Sequence, residues 1–121
     1  MRLILAFLLT LLIVVTPALA ANPNATLRLD PARHYAYINF TNLKGVSRVN
    51  YTLIYDTSST QKGLEGGFKT NPKSRSTTRR QILGTCSSGK CVYNSGVHNV
   101  QLDVTFTLRS GGTVNVTKSI P

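Results

Sequence analysis

The sequence predicts an all-β protein: an antiparallel two-sheet sandwich of about seven strands, preceded by a signal peptide. The first observation is Val100–Leu108, where five apolar residues alternate with four polar ones without a break. A period of two gives a strand one dry face and one wet face. The second is composition, since residues 21–121 lack helical periodicity and are rich in Thr, Val, Tyr, Asn, Ser and Gly. The third is that turn signals recur about every eight to twelve residues, which is typical of sandwiches.

The N-terminal segment has the three parts of a secretory signal peptide, residues 1–20. Met1-Arg2 is basic, Leu3–Val15 is apolar except for Thr10, and Ala18-Leu19-Ala20 is a small-x-small cleavage pattern. An uncleaved anchor is the alternative, although a membrane span needs about 20 apolar residues. Cleavage leaves residues 21–121 as a single sandwich domain without a transmembrane segment. We therefore expect a secreted or extracytoplasmic protein, with the cell surface as one possible location.

The predicted domain opens with two strands. Thr26–Asp30 reads as an edge strand ended by Pro31, because proline removes a hydrogen-bond donor from the ladder. His34–Thr41 follows, and we assign its core face to the set that excludes Asn39, whose amide would be costly to bury without partners. That inward set is Ala36, Ile38 and Phe40.

The third strand is Val46–Asp56, which alternates clearly. Its inward residues are Val49, Tyr51, Leu53 and Tyr55. After it, Leu64 and Phe68 indicate a short edge strand, and Lys69–Thr78 reads as an exposed connection because it is polar, basic and interrupted by proline.

The remaining strands complete the two layers. Thr78–Gly84 is predicted as a strand with Ile82 inward, and Val100–Leu108 as the central strand. Ser110-Gly111-Gly112 is a tight hairpin turn, since its glycines permit the primed turns that join strands. Thr113–Lys118 then returns as the last strand.

Two cysteines, Cys86 and Cys91, enclose Ser-Ser-Gly-Lys in the segment between these strands. A close pair in an exported protein predicts a disulfide. A metal site is the weaker alternative, because two thiols without further ligands cannot complete a tetrahedral site. A catalytic dithiol would require a Cys-x-x-Cys spacing.

The charge is strongly positive, with 14 Lys and Arg against four Asp and Glu. Such a field favours anionic polymers as partners, although the sequence does not say which polymer; the alternative is that the net charge only keeps a small secreted domain soluble. The densest run is a candidate anion-binding cluster within residues 69–80; a solvated loop is the alternative. Within this cluster, Arg80 is predicted to lie on the same inward face of the strand as Ile82. Arg79 is predicted to lie on the outward face. The cluster comprises Lys69, Lys73, Arg75, Arg79 and Arg80.

Tyr35 and Tyr37 fall on the outer face of their predicted strand. Exposed tyrosines stack on sugars or fill protein interfaces, so this pair is a candidate aromatic face; burial beneath a neighbouring loop is the alternative. Four Asn-x-Thr acceptor patterns also occur, which matter only in a eukaryotic secretory host. They begin at Asn24, Asn39, Asn50 and Asn115.

No catalytic motif stands out in the sequence. The chain has four carboxylates and two histidines, and it lacks a Gly-x-Ser-x-Gly elbow, a His-Glu-x-x-His motif and a phosphate-binding glycine loop. We therefore predict a protein that is not an enzyme, with no cofactor and no metal. Its predicted role is a structural or binding module whose partner is an anionic polymer or another surface protein, with no specific nucleic-acid site. The alternative is a polyanion-binding accessory domain that uses the cluster in residues 69–80.

The strand pattern resembles the immunoglobulin-like and fibronectin type III-like sandwiches over all of residues 21–121. The resemblance is architectural, because the chain has no Trp and its cysteine pair is local. The segment Ile82–Cys91, with the alternating strand after it, looks like small uncharacterised secreted proteins of candidate-phylum bacteria. The first resemblance implies a fold, the second implies a compartment and a fold, and neither implies an activity.

Overall fold

The computed structural model describes residues 22–121, so the predicted signal peptide lies outside the described residues. Within this range no helix has the length and apolar character needed to cross a membrane. One short 3-10 helix, Leu43–Gly45, connects the second and third strands. The nine strands of the described range are β1 (Asn24–Leu29), β2 (Tyr35–Thr41), β3 (Val46–Asp56), β4 (Gln61–Lys69), β5 (Thr77–Ile82), β6 (Gly84–Ser87), β7 (Lys90–Tyr93), β8 (His98–Leu108) and β9 (Thr113–Ile120).

Seven of the strands form two sheets, in the orders β1-β2-β5 and β4-β3-β8-β9. Every pairing within them is antiparallel, and one apolar core lies between the two sheets. The predicted fold class, an all-β sandwich of about seven strands, is therefore confirmed. β6 and β7 form a separate two-stranded hairpin. In the sequence this hairpin lies between β5, which belongs to the first sheet, and β8, which belongs to the second.

The core is built by the strands whose sequences alternate most regularly. In β8, every second residue from Val100 to Phe106 is buried, as the sequence predicts. β3 pairs with β8 so that Leu53 lies opposite Leu102 and Val49 opposite Phe106. Opposite residues of an antiparallel pair share a face, so both strands present their apolar sets to the same core.

Aromatic rings occupy the centre of the core. The Phe40 ring lies 5.5 Å from the Tyr51 ring, 5.3 Å from the Phe68 ring and 6.3 Å from the Phe106 ring, measured between centroids. Gly66 lies opposite Tyr51, and a Cβ atom at Gly66 would come within 2.4 Å of the tyrosine ring. The glycine therefore makes room for a large side chain from the neighbouring strand.

The prediction that Ile82 points inward is wrong. β5 pairs with β2 so that Ile82 lies opposite Tyr35 on the outer face, while Arg79 lies opposite the buried Ile38. The residue that enters the core is Leu83, which is fully buried just after the strand ends. Because inner and outer positions alternate, the predicted faces of Arg79 and Arg80 are also exchanged.

Polar residues occupy inner positions of β5 because this strand lies at the edge of its sheet. The Gln81 amide nitrogen donates a hydrogen bond of 2.6 Å to the Tyr51 hydroxyl, which is itself in the core. The Arg79 guanidinium reaches over the ring of Phe68, 4.7 Å from its centroid, and keeps its charge exposed. Long polar side chains at an edge can thus cover apolar surface without losing water.

Candidate functional site

Three connections meet at one end of the sandwich, where β2, β4 and β8 end. The Leu43 N–H donates to the Arg75 carbonyl at 2.9 Å, and the Arg109 N–H donates to the Gly45 carbonyl at 2.8 Å. The Arg109 guanidinium also donates to the Thr70 hydroxyl at 3.0 Å. These hydrogen bonds join the β2–β3, β4–β5 and β8–β9 connections into one surface.

This surface, which we call the basic end, carries six exposed cationic side chains. They are Lys44, Arg48, Lys69, Lys73, Arg75 and Arg109. The four carboxylate side chains of the chain lie elsewhere. Two are at the other end of the sandwich, where β1 and β3 end, and two are in the middle of strands β4 and β8. They are Asp30, Asp56, Glu65 and Asp103. The basic end is therefore a patch of one sign of charge.

The charges at the basic end are unneutralised. Within residues 22–121 no Lys or Arg side chain pairs with a carboxylate, and the one contact of this kind is between His98 and Asp56, at 4.0 Å, outside the basic end. Arg48 and Lys69 lie directly opposite each other across β3 and β4. Like charges at such positions repel and destabilise the sheet, so an anion bound beside them would relieve that cost.

An open cleft of about 730 Å³ lies at the basic end. Its lining includes apolar residues, Pro23, Val46 and Leu108, and two exposed cations, Lys44 and Arg75. Volumes of this order are typical of ligand sites. The cleft thus offers a concave surface beside cations on two of the three joined connections.

A second cationic feature lies on the outer face of the β1-β2-β5 sheet. The Arg28 guanidinium stacks over the ring of Tyr37, 4.4 Å from the ring centroid. The Arg80 guanidinium stacks over the ring of Tyr35, at 4.7 Å. Arg28, Tyr37 and Arg80 are direct partners across the three strands, so the register itself brings them together.

The β6–β7 hairpin extends this face with one more ring. Tyr93 stacks on His34 with 3.9 Å between centroids, and its hydroxyl lies 3.2 Å from that of Tyr35. The hydrogen bond with Tyr35, together with desolvation, raises the pKa of Tyr93. We call the whole feature the stacked face. It comprises Arg28, His34, Tyr35, Tyr37, Arg80 and Tyr93.

A carboxylate borders the stacked face but is engaged with the backbone. The Asp30 side chain accepts the N–H groups of Tyr35, at 2.7 Å, and of His34, at 2.8 Å. These hydrogen bonds, that from Tyr35 foremost, hold the pKa of Asp30 below its ordinary value. Asp30 therefore shapes the β1–β2 turn while the guanidiniums rest on the tyrosines.

The structure divides the cluster predicted within residues 69–80. Lys69, Lys73 and Arg75 belong to the basic end, whereas Arg80 joins the stacked face and Arg79 covers the inter-sheet edge. Sequence reasoning missed the cations that reach the basic end from other connections. These are Lys44, Arg48 and Arg109. Long-range strand pairing brings them there, and no local sequence signal marks it.

Tyr35 and Tyr37 do share an outer face, as the alternation predicts, but both are only partly exposed. A guanidinium lies over each ring, so neither presents a bare aromatic surface on that side. The chemistry available here therefore comes from the guanidinium N–H groups as well as from the rings.

Cys86 and Cys91 are direct partners across the β6–β7 hairpin, with their sulfurs 2.08 Å apart, the distance of a disulfide. Ser88 and Gly89 both have positive φ, 50° and 77°, as a two-residue primed turn requires. The pair therefore closes one hairpin and joins no other element. No cluster of three or more metal-ligating side chains occurs among residues 22–121.

Comparison of this chain with protein families, with curated proteins and with solved structures finds no match. The likeness to candidate-phylum secreted proteins therefore stays a prediction. The fold and the two cationic surfaces carry the functional argument.

Proposed function

We propose that this chain is a secreted or cell-surface, non-catalytic immunoglobulin-like module that binds an anionic polymer through its basic end. The observation that carries the proposal is the convergence of six exposed cations, from separate parts of the chain, on one end of the sandwich. A solvated loop would place its charges in one connection; here Lys44, Arg75 and Arg109 come from three.

The strand order supports the immunoglobulin-like assignment. If β1, β2 and β5 are lettered A, B and E, and β4, β3, β8 and β9 are lettered C′, C, F and G, the sheets read A-B-E and C′-C-F-G. Immunoglobulin-like domains divide these strands between their two sheets in the same way. Fibronectin type III-like domains share the sandwich architecture, so the proposal includes both.

The energetics favour a polymer over a single ion. Each exposed cation gains little from one anion in water, but several neighbouring contacts release many counterions at once. With five or six contacts, affinity should fall about 10²–10³-fold between roughly 50 and 200 mM salt. The repulsion between Arg48 and Lys69 adds a reason for binding, because it is relieved only in the complex.

The test measures binding of inorganic polyphosphate at about 50 and 200 mM salt, by titration with the purified domain. The double variant Lys44→Gln, Arg75→Gln removes two charges from the lining of the cleft. It should flatten the salt dependence by about two contacts, since each contact contributes about −0.7 to −0.9 to the logarithmic slope.

The matched control is Lys62→Gln, Lys90→Gln, which removes two charges at the start of β4 and on the hairpin. Its salt dependence should match that of the unmodified domain. If both double variants weaken binding equally, the domain attracts polyanions by net charge alone and the proposed site is wrong.

Export is tested by the mass of the mature secreted protein. We expect loss of residues 1–20 and a mass two hydrogens below that of the reduced chain, because Cys86 and Cys91 are paired. Retained N-terminal residues would favour the membrane-anchored alternative. Two thiols that alkylate in native secreted material would contradict the disulfide.

A further inference from the structure

The two arginines of the stacked face are held in place before any ligand arrives. Each guanidinium lies over a tyrosine ring, less than 5 Å from its centroid, and both tyrosines belong to β2. Neither Arg28 nor Arg80 forms an ion pair or a side-chain hydrogen bond in the part of the chain that the structure describes. Their N–H groups therefore remain available, while stacking has already restricted the side chains.

The spacing of these arginines follows from the strand. Tyr35 and Tyr37 are alternate residues of β2, so their rings stand roughly 7 Å apart along it. The two guanidiniums consequently form a row above one strand, although Arg28 comes from β1 and Arg80 from β5. A row of two guanidinium groups fits an extended polymer that carries anionic groups at intervals, because each guanidinium can bind one anionic group through two N–H hydrogen bonds.

Polar groups continue the row on the same face. Asn39 is the next outward residue of β2, and Thr78 of β5 donates to its side-chain oxygen at 3.2 Å. Thr26 lies opposite Asn39 on the other side, in β1. Hydroxyl and amide groups beside the two guanidinium groups suit a polymer that carries both hydroxyl groups and anionic groups.

From these features we infer that the stacked face binds a linear acidic polysaccharide, with Arg28 and Arg80 each holding one carboxylate or sulfate group. Single-stranded nucleic acid fits less well, because its bases require bare aromatic faces on which to stack. Here guanidiniums cover Tyr35 and Tyr37, and Tyr93 lies against His34. The site supplies fixed hydrogen-bond donors for anions rather than platforms for bases.

This site is separate from the basic end and depends on different chemistry. At the basic end the proposal depends on the number of positive charges, to which lysine and arginine contribute equally. On the stacked face the guanidinium shape matters, because an ammonium group neither stacks as a plane nor forms a bidentate pair. Arginine-to-lysine substitutions therefore separate the two sites at constant net charge.

The experiment measures the affinity of the folded domain for oligogalacturonate, which carries carboxylates, and for heparin oligosaccharides, which also carry sulfates, at about 150 mM salt. The test variant is Arg28→Lys, Arg80→Lys. We expect affinity for at least one of the two glycans to fall about tenfold or more, because two bidentate pairs are lost. The glycan that responds more strongly identifies the preferred anion.

The control is Arg33→Lys, Arg79→Lys, at two arginines that belong to neither the basic end nor the stacked face, and it should change affinity less than twofold. A further variant, Tyr37→Leu, keeps both guanidiniums but removes the ring beneath Arg28; it should weaken binding while Tyr37→Phe does not. Unfolding midpoints of all variants establish that the domain is folded.

Three results would overturn the inference. One is an equal effect of the two arginine-to-lysine pairs. Another is tighter binding of oligothymidylate than of either glycan. The third is unchanged binding in Arg28→Lys, Arg80→Lys. None of these bears on polyphosphate binding at the basic end, so the two proposals fail or stand independently.

Discussion

Phe40 offers the most direct measure of how the core is held together. It is fully buried and its ring contacts three other rings, those of Tyr51, Phe68 and Phe106. Truncation of a buried phenylalanine to alanine costs about 3–5 kcal/mol. Each aromatic pair contributes about 0.5–1.5 kcal/mol beyond the area it buries. Because three such pairs disappear, we expect Phe40→Ala to fall near the upper end, about 4–5 kcal/mol.

The informative comparison is Phe40→Leu, which restores much of the apolar volume but none of the ring contacts. We expect it to cost about 2–4 kcal/mol, most of it from the three lost pairs. Urea denaturation gives the free energy of unfolding, and each kcal/mol corresponds to a fall of about 4–8 °C in the melting temperature for a domain of this size. Val92→Ala, at a side chain that is 69 % exposed, is the control and should stay within about 0.5 kcal/mol. A cost below about 1 kcal/mol for Phe40→Leu would refute the view that ring contacts, and not volume alone, stabilise this core.

Three further predictions concern stability and pH. In urea denaturation, Leu102→Ala should lower the free energy of unfolding by about 3 kcal/mol or more. Thr105→Ala, on the opposite face of β8, should lower it by less than about 1 kcal/mol. Equal costs would contradict a strand with one buried and one outer face. The backbone hydrogen bond from Tyr35 keeps the pKa of Asp30 below 3.8, so its stabilising effect is present above that pH and is lost as the pH falls through the folded-state pKa. The melting temperature of Asp30→Asn should accordingly fall less than that of the unmodified domain in strong acid, and parallel falls would argue against this contribution. Burial raises the pKa of Tyr55 above 10.0, so the neutral phenol stabilises the fold below that pH, and this effect is lost as the pH rises through the folded-state pKa. Tyr55→Phe should therefore reduce the loss of stability at alkaline pH. An unchanged loss in this variant would contradict the contribution of Tyr55.

The sequence correctly predicts the strands that have one apolar face and one polar face. β2, β3 and β8 lie inside their sheets or at their centres, so every inward residue must be apolar and the alternation is complete. The outward residues then follow by parity, including the shared face of Tyr35 and Tyr37. The register between strands does not follow from alternation alone, because several pairings keep the same faces.

The sequence misleads at β5 for a physical reason. The strand lies at a sheet edge, where Arg79 and Gln81 can occupy inward positions and still reach an aromatic ring or a core hydroxyl. An apolar residue such as Ile82 can equally remain outside, packed near Tyr35. Hydrophobicity therefore does not identify the faces of an edge strand, and the parity predicted from Ile82 is reversed.

The candidate sites show the same limit at larger scale. A run of cations such as that in residues 69–80 looks like one surface, yet consecutive residues of a strand point to opposite faces. Arg80 therefore shares a face with Arg28, which precedes it by about fifty positions, and not with its neighbour Arg79. Only the pairing of distant strands creates the basic end and the stacked face.

The hairpin that holds Cys86 and Cys91 has a practical consequence for handling and redesigning the protein. Its cross-link closes a ring of six residues and ties neither sheet to the other, so its loop-entropy contribution of about 2 kcal/mol remains local. Production in a reducing cytoplasm should therefore still yield the assembled sandwich. The exposed tip around Ser88 and Gly89 is also a suitable position for grafting an epitope or a reporter sequence, provided that Tyr93 at the hairpin base is kept.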